Sequence, residues 1–405
     1  MSSRFAVYSL ILSLALVIRL TCLASEPFFG DLPLSVEAIK TGGMKIQFPG
    51  YVPFHWTIKT LAGGTGSLNA GAVTVSILCG MAAVFFIMRT AEVLGGLRAA
   101  TQAGIVASTS LLLVYFSGVG SSYITDLLAA AGVLYHGMRV IIANAAGRQV
   151  LWAFGWMAFG TLMRPLSGMW LFPAVVWLAW RFGSRAERLR CAGVCLLLAA
   201  TLVGISAPYF GSWNEVLSST GTVHSVAASG LNRTQFISMM GRIGGYPAYF
   251  LNVWLVILLI SLPAASRLFQ EGGASRDRLV FSILLILPYS AVLLRHLPQA
   301  GYTCLLAPVF VTFPFIAGVS RFRDRLVTVL TAAFAIVSLL QIYVARPYPP
   351  QTMSDVVLNA YFLQYSRSGV EVSMFETAAS LAVKSGLAQN YVPETRRQLI
   401  LKGGR

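Results

Sequence analysis

Length, composition and charge exclude an ordinary soluble domain. The chain has 405 residues, of which 56% are hydrophobic and 11% are charged, whereas soluble domains carry roughly 25% charged residues. The net charge of +16 comes from 30 Lys and Arg against 14 Asp and Glu. Because many of the arginines gather in short loops between apolar segments, the charge indicates the positive-inside pattern of a membrane protein and not a nucleic-acid-binding surface.

The first apolar segment, residues 4–24, has the short length and the small terminal residues of a signal peptide. We expect a retained helix, because Arg19 interrupts the apolar run near its end and further spans follow. A bilayer core requires about 20 apolar residues per helix. Ten more segments approach this length, at approximately 68–88, 101–118, 122–142, 149–163, 166–181, 191–210, 246–266, 279–294, 301–319 and 326–345.

The sequence therefore predicts an all-α polytopic membrane protein with about eleven transmembrane helices. The least regular pair flanks the segment LMRPLSGMW, where Pro165 directly follows Arg164. We divide the chain into a membrane module at 1–345, with a first outward loop at 25–67 that carries short helices, and a small outward tail at 346–405 that opens with the stiff segment RPYPP.

The basic residues predict how the chain is oriented. Eleven spans place the loops with Arg89 and Arg98, the cluster RFGSRAERLR and the segment 321–325 on one side, which is therefore the cytoplasmic side. The N-terminus is then cytoplasmic and the C-terminus lies outside, which we expect to be the periplasmic face of a bacterial inner membrane. The outer side receives the charged segment FFGDLPLSVEAIKTGGMKIQFPGYVPFHW, the loop 211–245 and RHLPQAG.

Two acids are candidates for chemistry, because a carboxylate near lipid requires water, a partner or a function. Asp31 lies in FFGDLP soon after the first helix, where it could accept a proton from a hydroxyl group; it could equally be the N-cap of a following short helix. Asp126 lies about one turn into the fourth span. The alternative for Asp126 is a structural ion pair with Arg19 or Arg164.

Basic residues on the outer side form a second group that the positive-inside rule does not explain. An anionic ligand, most naturally a phosphate, would account for several of them, because a guanidinium can bind two phosphate oxygens at once. The alternative is that some of these side chains only snorkel at the interface. The group comprises Arg19, Lys40, Lys45, His55, Lys59, Arg164, Arg295 and His296.

Other familiar classes of site find no support in the sequence. Five cysteines without a recurring spacing predict neither a disulfide framework nor a zinc site, and four histidines make a multi-histidine metal site improbable. HExxH, Gly-x-Ser-x-Gly, Walker and dinucleotide motifs are lacking.

The order and sidedness of these motifs resemble the GT-C superfamily of integral-membrane glycosyltransferases. The features that carry the resemblance are an apolar first helix with Arg19 near its outer end, the Gly30-Asp31 pair, EAIKTGG, FPGYVPFHW, GSSYITDLL with Asp126, GTLMRPLSGMWLFPAVVW and LLRHLPQAGYTCLLAPVF. They span roughly residues 5–320. One departure is that Leu32 follows Asp31, whereas the protein mannosyltransferase and aminoarabinose transferase branches have Glu there, so the resemblance does not identify the branch.

The resemblance implies an inverting transfer of a sugar from a polyprenyl-phosphate donor to a hydroxyl on a glycan, lipid or protein acceptor. Asp31 would be the catalytic base and Asp126 a second catalytic acid. The donor phosphate would contact some of Arg164, Arg295, His296, His55, Lys45 and Tyr51. No cofactor is expected; too few acids converge to predict a bridging divalent cation, which stays open. A transporter or lipid flippase and a non-catalytic assembly subunit are the competing interpretations.

Overall fold

The described part of the chain is helical. The computed structural model describes residues 2–23, 35–36, 39–40, 51–143, 147–209, 251–293, 304–319 and 324–345. Within these ranges it contains twelve α-helices and a 3-10 turn at Ala207–Tyr209. The helices are α1 (Ser2–Leu20), α2 (Val52–Thr65), α3 (Leu68–Thr109), α4 (Leu111–Gly118), α5 (Tyr123–Ala143), α6 (Arg148–Met163), α7 (Pro165–Phe182), α8 (Arg185–Ser206), α9 (Trp254–Glu271), α10 (Gly273–Leu293), α11 (Ala307–Ile316) and α12 (Asp324–Ala345).

Six of these helices are long and apolar enough to cross a membrane: α1, α3, α5, α8, α9 and α12. The all-α integral-membrane class predicted from the sequence is confirmed. The number of eleven spans stays a prediction, because α6, α7 and α10 do not combine the length and the apolar character that the six spanning helices share. The predicted tail at 346–405 lies outside the described residues.

The 42-residue helix α3 folds back on itself. Its backbone leaves helical geometry at Gly95 and at Gly96, where φ is 76°, a left-handed conformation that glycine adopts without a Cβ clash. A Cβ placed on Gly104 would lie 2.9 Å from the Sδ atom of Met88, which is sixteen positions earlier in the chain. A straight helix would separate these residues by about 24 Å, so the two arms of α3 lie side by side, as the separate segments at 68–88 and 101–118 predict.

Helix α5 forms the centre of the bundle. In its apolar stretch 83% of the residues are buried inside the protein, against 11% in α8 and 17% in α9. It packs against α3, α6, α7, α10 and α11. The peripheral helices therefore offer their apolar side chains to lipid, while the side chains of α5 contact other helices.

Ion pairs join several helices at one end of the bundle, which we call the Glu92 end. Glu92 of α3 binds Arg4 with 2.8 Å between Nε and Oε1, and it accepts a hydrogen bond of 2.9 Å from the hydroxyl of Tyr8. Arg98 of the second α3 arm pairs with Asp324 at the start of α12. Basic residues that the sequence assigns to one side of the membrane therefore do meet at one end.

The opposite end, which we call the Asp126 end, contains the last turn of α1 and the first turn of α5. Arg19 is fully buried there. Its guanidinium donates 3.1 Å hydrogen bonds to the carbonyl of Ala15 and the hydroxyl of Ser117, and longer ones to the carbonyls of Ala107 and Ser108. A helix leaves its last carbonyl oxygens without intrahelical hydrogen-bond donors. Arg19 donates to such oxygens at the end of α3 and thereby holds α1 against α3.

Candidate functional site

The site begins at a break in the chain between α6 and α7. Proline disfavours the helical conformation of the residue before it, and Arg164 accordingly has φ −150° and ψ 102°. Pro165 is well suited to the first turn of α7, where no N–H is required. The Arg164 N–H donates to the carbonyl of Gly160 at 2.7 Å. The sequence Arg-Pro therefore ends one helix, starts the next and leaves the side chain of Arg164 inside the bundle.

Arg164 and Asp126 form a buried ion pair, and each residue is only 1% exposed. The guanidinium donates from Nη1 to Oδ2 of Asp126, while the hydroxyl of Ser167 donates to Oδ1. The Arg164 Cζ atom lies 4.1 Å from the centre of the Tyr123 ring, a cation–π contact. Asp126 also lies in the first turn of α5, where the helix dipole favours a negative charge.

This geometry separates the roles of the two charged groups. Both carboxylate oxygens of Asp126 accept hydrogen bonds within the protein, so this carboxylate is poorly placed to take a proton from a substrate. Its evident effect is to orient the Arg164 guanidinium. This agrees with the alternative role that the sequence allows for Asp126, a structural ion pair with Arg19 or Arg164. Removing one partner of such a pair typically costs about 3–5 kcal/mol, because the remaining charge stays buried.

Small residues allow the three helices around this pair to approach closely. A Cβ on Gly160 would lie 2.6 Å from the Cβ of Ala129 in α5 and 3.2 Å from that of Ser167 in α7. A Cβ on Gly168 would collide with the hydroxyl of Thr161. The spacing of the glycines in GTLMRPLSG thus lets α6 and α7 pack on each other and on α5, which brings Arg164 to Asp126.

We expect Gly160→Ala to destabilise the protein by about 1–3 kcal/mol, because the added methyl group overpacks the contact with Ala129. Gly155 in the same helix is the matched control, since a Cβ there would meet no heavy atom within 4 Å. Gly155→Ala should be neutral or stabilising by up to about 1 kcal/mol. Thermal unfolding of the two variants in one detergent makes the comparison, and equal midpoints would contradict it.

Cys304 is a neighbour of the ion pair that sequence reasoning missed. It is fully buried and lies close enough to Asp126 and Arg164 for both charges to act on its thiol. The only feature of the sequence that could have indicated its role is its position at the end of the segment RHLPQAGYTC, which also contains Arg295 and His296. The chain that follows Arg295 and His296 therefore enters the bundle beside the ion pair, eight residues after His296.

Tyr51 and His55 lie at the start of α2, which packs against α3 and contacts α6. A Cβ on Gly71, in the first turn of α3, would be 2.7 Å from the carbonyl oxygen of Ile58 in α2. His55 is fully buried. Its ring lies 6.3 Å from that of Tyr51 and 6.4 Å from that of Phe54. Within the described part of the chain, no contact joins His55 to the ion pair.

Burial lowers the pKa of His55 from 6.5 to about 4. The folded protein is then less able to bind this proton than the unfolded chain, so acidification between these values favours unfolding by about 1.4 kcal/mol per pH unit. We expect wild type to lose about 2 kcal/mol more stability than His55→Phe between pH 6.5 and 4.5. Chemical unfolding of both proteins at the two pH values measures the difference, and parallel losses would contradict it.

The remaining predicted site residues, Asp31, Lys45, Arg295 and His296, lie outside the described residues. Of the eight predicted site residues, the structure brings two together, Asp126 and Arg164, and adds Ser167, Tyr123 and Cys304 to them. Among the described residues, no group of three or more His, Cys, Asp and Glu side chains is arranged to hold a metal ion.

Two comparisons relate this chain to known proteins. Residues 52–209 match the model of the family described as dolichyl-phosphate-mannose-protein mannosyltransferase, and this stretch includes His55, Asp126 and Arg164 but not Asp31. The crystal structure of ArnT from Cupriavidus metallidurans in the apo state has a TM-score of 0.51 at 17% identity, over 98% of this chain and 72% of ArnT. No curated protein matches the sequence significantly.

Residues 52–209 are therefore similar to a family of membrane glycosyltransferases, and the fold of the whole chain is similar to that of ArnT. The likeness to ArnT establishes the fold, and the family match relates residues 52–209 to known transferases. The resemblance read from the motif order is thereby confirmed, as is the expectation that the protein is an enzyme. The break at Arg164, the residue Asp126 and the start of α2 all fall within the stretch that matches the family.

Proposed function

We propose that this protein is a membrane glycosyltransferase, which moves a sugar from a polyprenyl-phosphate donor to an acceptor hydroxyl on the outer side of the membrane, with inversion at the anomeric carbon. The observation that carries the proposal is the buried ion pair between Arg164 and Asp126. A guanidinium fixed in this way offers a rigid set of donors to a phosphate at low reorganisation cost.

The charge balance of the Asp126 end fits an anionic lipid headgroup. Arg19 is buried there, and its guanidinium donates hydrogen bonds to carbonyl and hydroxyl oxygens. Arg164 lies within the same end, and Arg295 and His296 precede Cys304 in the chain. A phosphate that leaves as an anion requires positive charge and no protonating acid, which suits a site with more bases than acids.

In the proposed reaction the carboxylate of Asp31 takes the proton of the acceptor hydroxyl. The hydroxyl oxygen forms a bond to the anomeric carbon from the face opposite the phosphate, and the bond between that carbon and the phosphate oxygen breaks. The electron pair leaves with the polyprenyl phosphate, whose charge Arg164 stabilises. Asp126 acts as a positioning residue for Arg164, because its own oxygens are already engaged.

The Asp126 end faces the outside in this proposal, and the Glu92 end faces the cytoplasm. The support is the meeting of Arg4, Arg89, Arg98 and their acidic partners at the Glu92 end, because basic loops remain on the cytoplasmic side. An N-terminus inside, a C-terminus outside and a bacterial inner membrane follow from the same rule and the number of spans.

A reconstitution experiment separates this function from that of a transporter or flippase. The purified protein in liposomes is given undecaprenyl phosphates that carry glucose, mannose, galactose or arabinose, together with membrane lipid and glycan acceptors. A transferase releases undecaprenyl phosphate and labels an acceptor. Movement of an intact sugar-lipid between leaflets, without release of undecaprenyl phosphate, would contradict the proposal.

A further inference from the structure

The arginines near the helix ends fall into two groups. Some pair with acids of other helices, as Arg4 does with Glu92 and Arg181 with Asp277. Others, at the starts of α6 and α8, have no acidic side chain within ion-pair distance among the described residues. This second group, which we call the α6–α8 arginines, comprises Arg148, Arg185, Arg188 and Arg190, and all four are exposed.

A line of stacked side chains places the α6–α8 arginines at the Glu92 end. Arg89 belongs to the ion pairs of that end, and its Cζ atom lies 5.9 Å from the centre of the Tyr135 ring. His136, the next residue of α5, stacks on Trp152 of α6 with 6.1 Å between the ring centres. The Cζ atom of Arg148 lies 5.8 Å from the centre of the Trp152 ring. The start of α6 is therefore at the end of the bundle opposite Asp126.

The starts of α6 and α8 lie side by side. A Cβ on Gly147, the N-cap of α6, would be 3.0 Å from Oε1 of Glu187 in the first turn of α8. Glu187 is the sole acid of the segment 181–190, and its other oxygen accepts the Ser184 N–H at 2.7 Å in a capping box. Its charge is thus used on the helix starts, and the α6–α8 arginines form a patch of net positive charge.

Two tryptophans turn this patch toward the membrane. Trp180, near the end of α7, is 73% exposed, and Trp152 is 47% exposed. The Cζ atom of Arg188 lies 5.1 Å from the centre of the Trp180 ring, just as Arg148 lies over Trp152. Because tryptophan favours the headgroup level of a bilayer, these contacts place both guanidiniums at that level.

A guanidinium that lies over a ring keeps hydrogen-bond donors for a ligand. The ring attracts the charge, while the N–H donors lie in the plane of the group. Arg188 donates from Nε to the carbonyl of Gly183 at 3.0 Å. Within the described part of the chain its Nη atoms, and the whole guanidinium of Arg148, have no hydrogen-bond acceptor. Such planar donors match the oxygens of a phosphate.

We propose that the α6–α8 arginines bind the headgroup of an anionic phospholipid, with Arg148 and Arg188 as the pair that contacts its phosphate. A zwitterionic headgroup is a poorer partner, because its ammonium brings a like charge to the arginines. This lipid site lies at the end opposite the proposed donor site and does not depend on the proposed function.

Native mass spectrometry of the full chain in detergent tests this proposal. The protein is titrated with phosphatidylglycerol or with phosphatidylcholine of identical acyl chains, and the ratio of the binding constants for the first lipid is the preference. A basic residue at a membrane surface strengthens the attraction of anionic lipid about fivefold. We therefore expect Arg148→Gln/Arg188→Gln to lower the preference for phosphatidylglycerol at least about tenfold.

The matched control is Arg267→Gln/Arg325→Gln, which removes two exposed arginines from α9 and α12. It should keep the preference within about twofold of wild type. All four side chains are exposed, so both double variants should unfold at the wild-type midpoint in detergent alone.

Three results would overturn the proposal. A wild-type protein that binds both lipids equally has no anionic-lipid site. An unchanged preference in Arg148→Gln/Arg188→Gln would assign the lipid to other residues. An equal loss in the two double variants would mean that the net charge of the protein, and not this pair, attracts the lipid.

Discussion

Asp126→Leu is expected to destabilise the protein by about 3–5 kcal/mol, because it leaves the guanidinium of Arg164 buried without its carboxylate. Leu has the same branched arrangement of heavy atoms and is larger than Asp, so the substitution leaves no cavity to account for the loss. The double variant Asp126→Leu/Arg164→Met removes both charges and should recover most of that stability. Thermal or chemical unfolding in one detergent measures both variants against wild type.

Activity should not recover with stability. We expect the double variant to transfer sugar at least about a hundredfold more slowly than wild type, because removal of one preorganised charge at a developing oxyanion commonly costs 10²–10³-fold in rate. Arg164→Ala should weaken use of the donor in the same way. A stable double variant with near wild-type transfer would mean that the ion pair only holds α5, α6 and α7 together.

Asp31→Asn is the second change with a large expected effect. It removes the proposed base while retaining size and hydrogen-bonding capacity, so transfer should fall by about 10²–10⁴-fold with an unchanged level of protein in the membrane. The same transfer assay in isolated membranes compares wild type and variant.

The matched control for this variant is Glu37→Gln, a neutralised acid in the same outward segment. It should retain transfer close to wild type, because Glu37 has no part in the proposed reaction. If Asp31→Asn transferred sugar normally, Asp31 would be a helix cap and not a base. If both variants lost activity equally, the loss would reflect the charge of the segment.

The sequence could predict those parts of the fold that depend on local chemistry. Hydrophobic length identified an all-helical membrane protein, and the Arg164-Pro165 step predicted the break between α6 and α7, because the constraint acts on the backbone next to it. The two arms of α3 were also predicted as separate segments. The Gly95-Gly96 turn that joins them lies in the predicted cytoplasmic loop.

Partners that are distant in the chain could be predicted only as alternatives. Asp126 and Arg164 are 38 positions apart. Both residues attract notice in the sequence because charged residues are scarce near lipid, but the sequence does not show whether Arg19 or Arg164 is the partner of Asp126. The structure pairs Asp126 with Arg164 and gives Arg19 to the end of α3. Ser167, Cys304 and the buried state of His55 had no comparable local signal, because burial depends on how the helices pack.

The affinity for undecaprenyl phosphate shows directly whether the buried guanidinium of Arg164 binds the phosphate of a lipid donor. The measurement compares wild type with Asp126→Leu/Arg164→Met in nanodiscs, after unfolding has shown the variant to be folded. We expect at least about tenfold weaker binding in the double variant, because one charge-assisted interaction is lost. Equal affinity in the two proteins would contradict it.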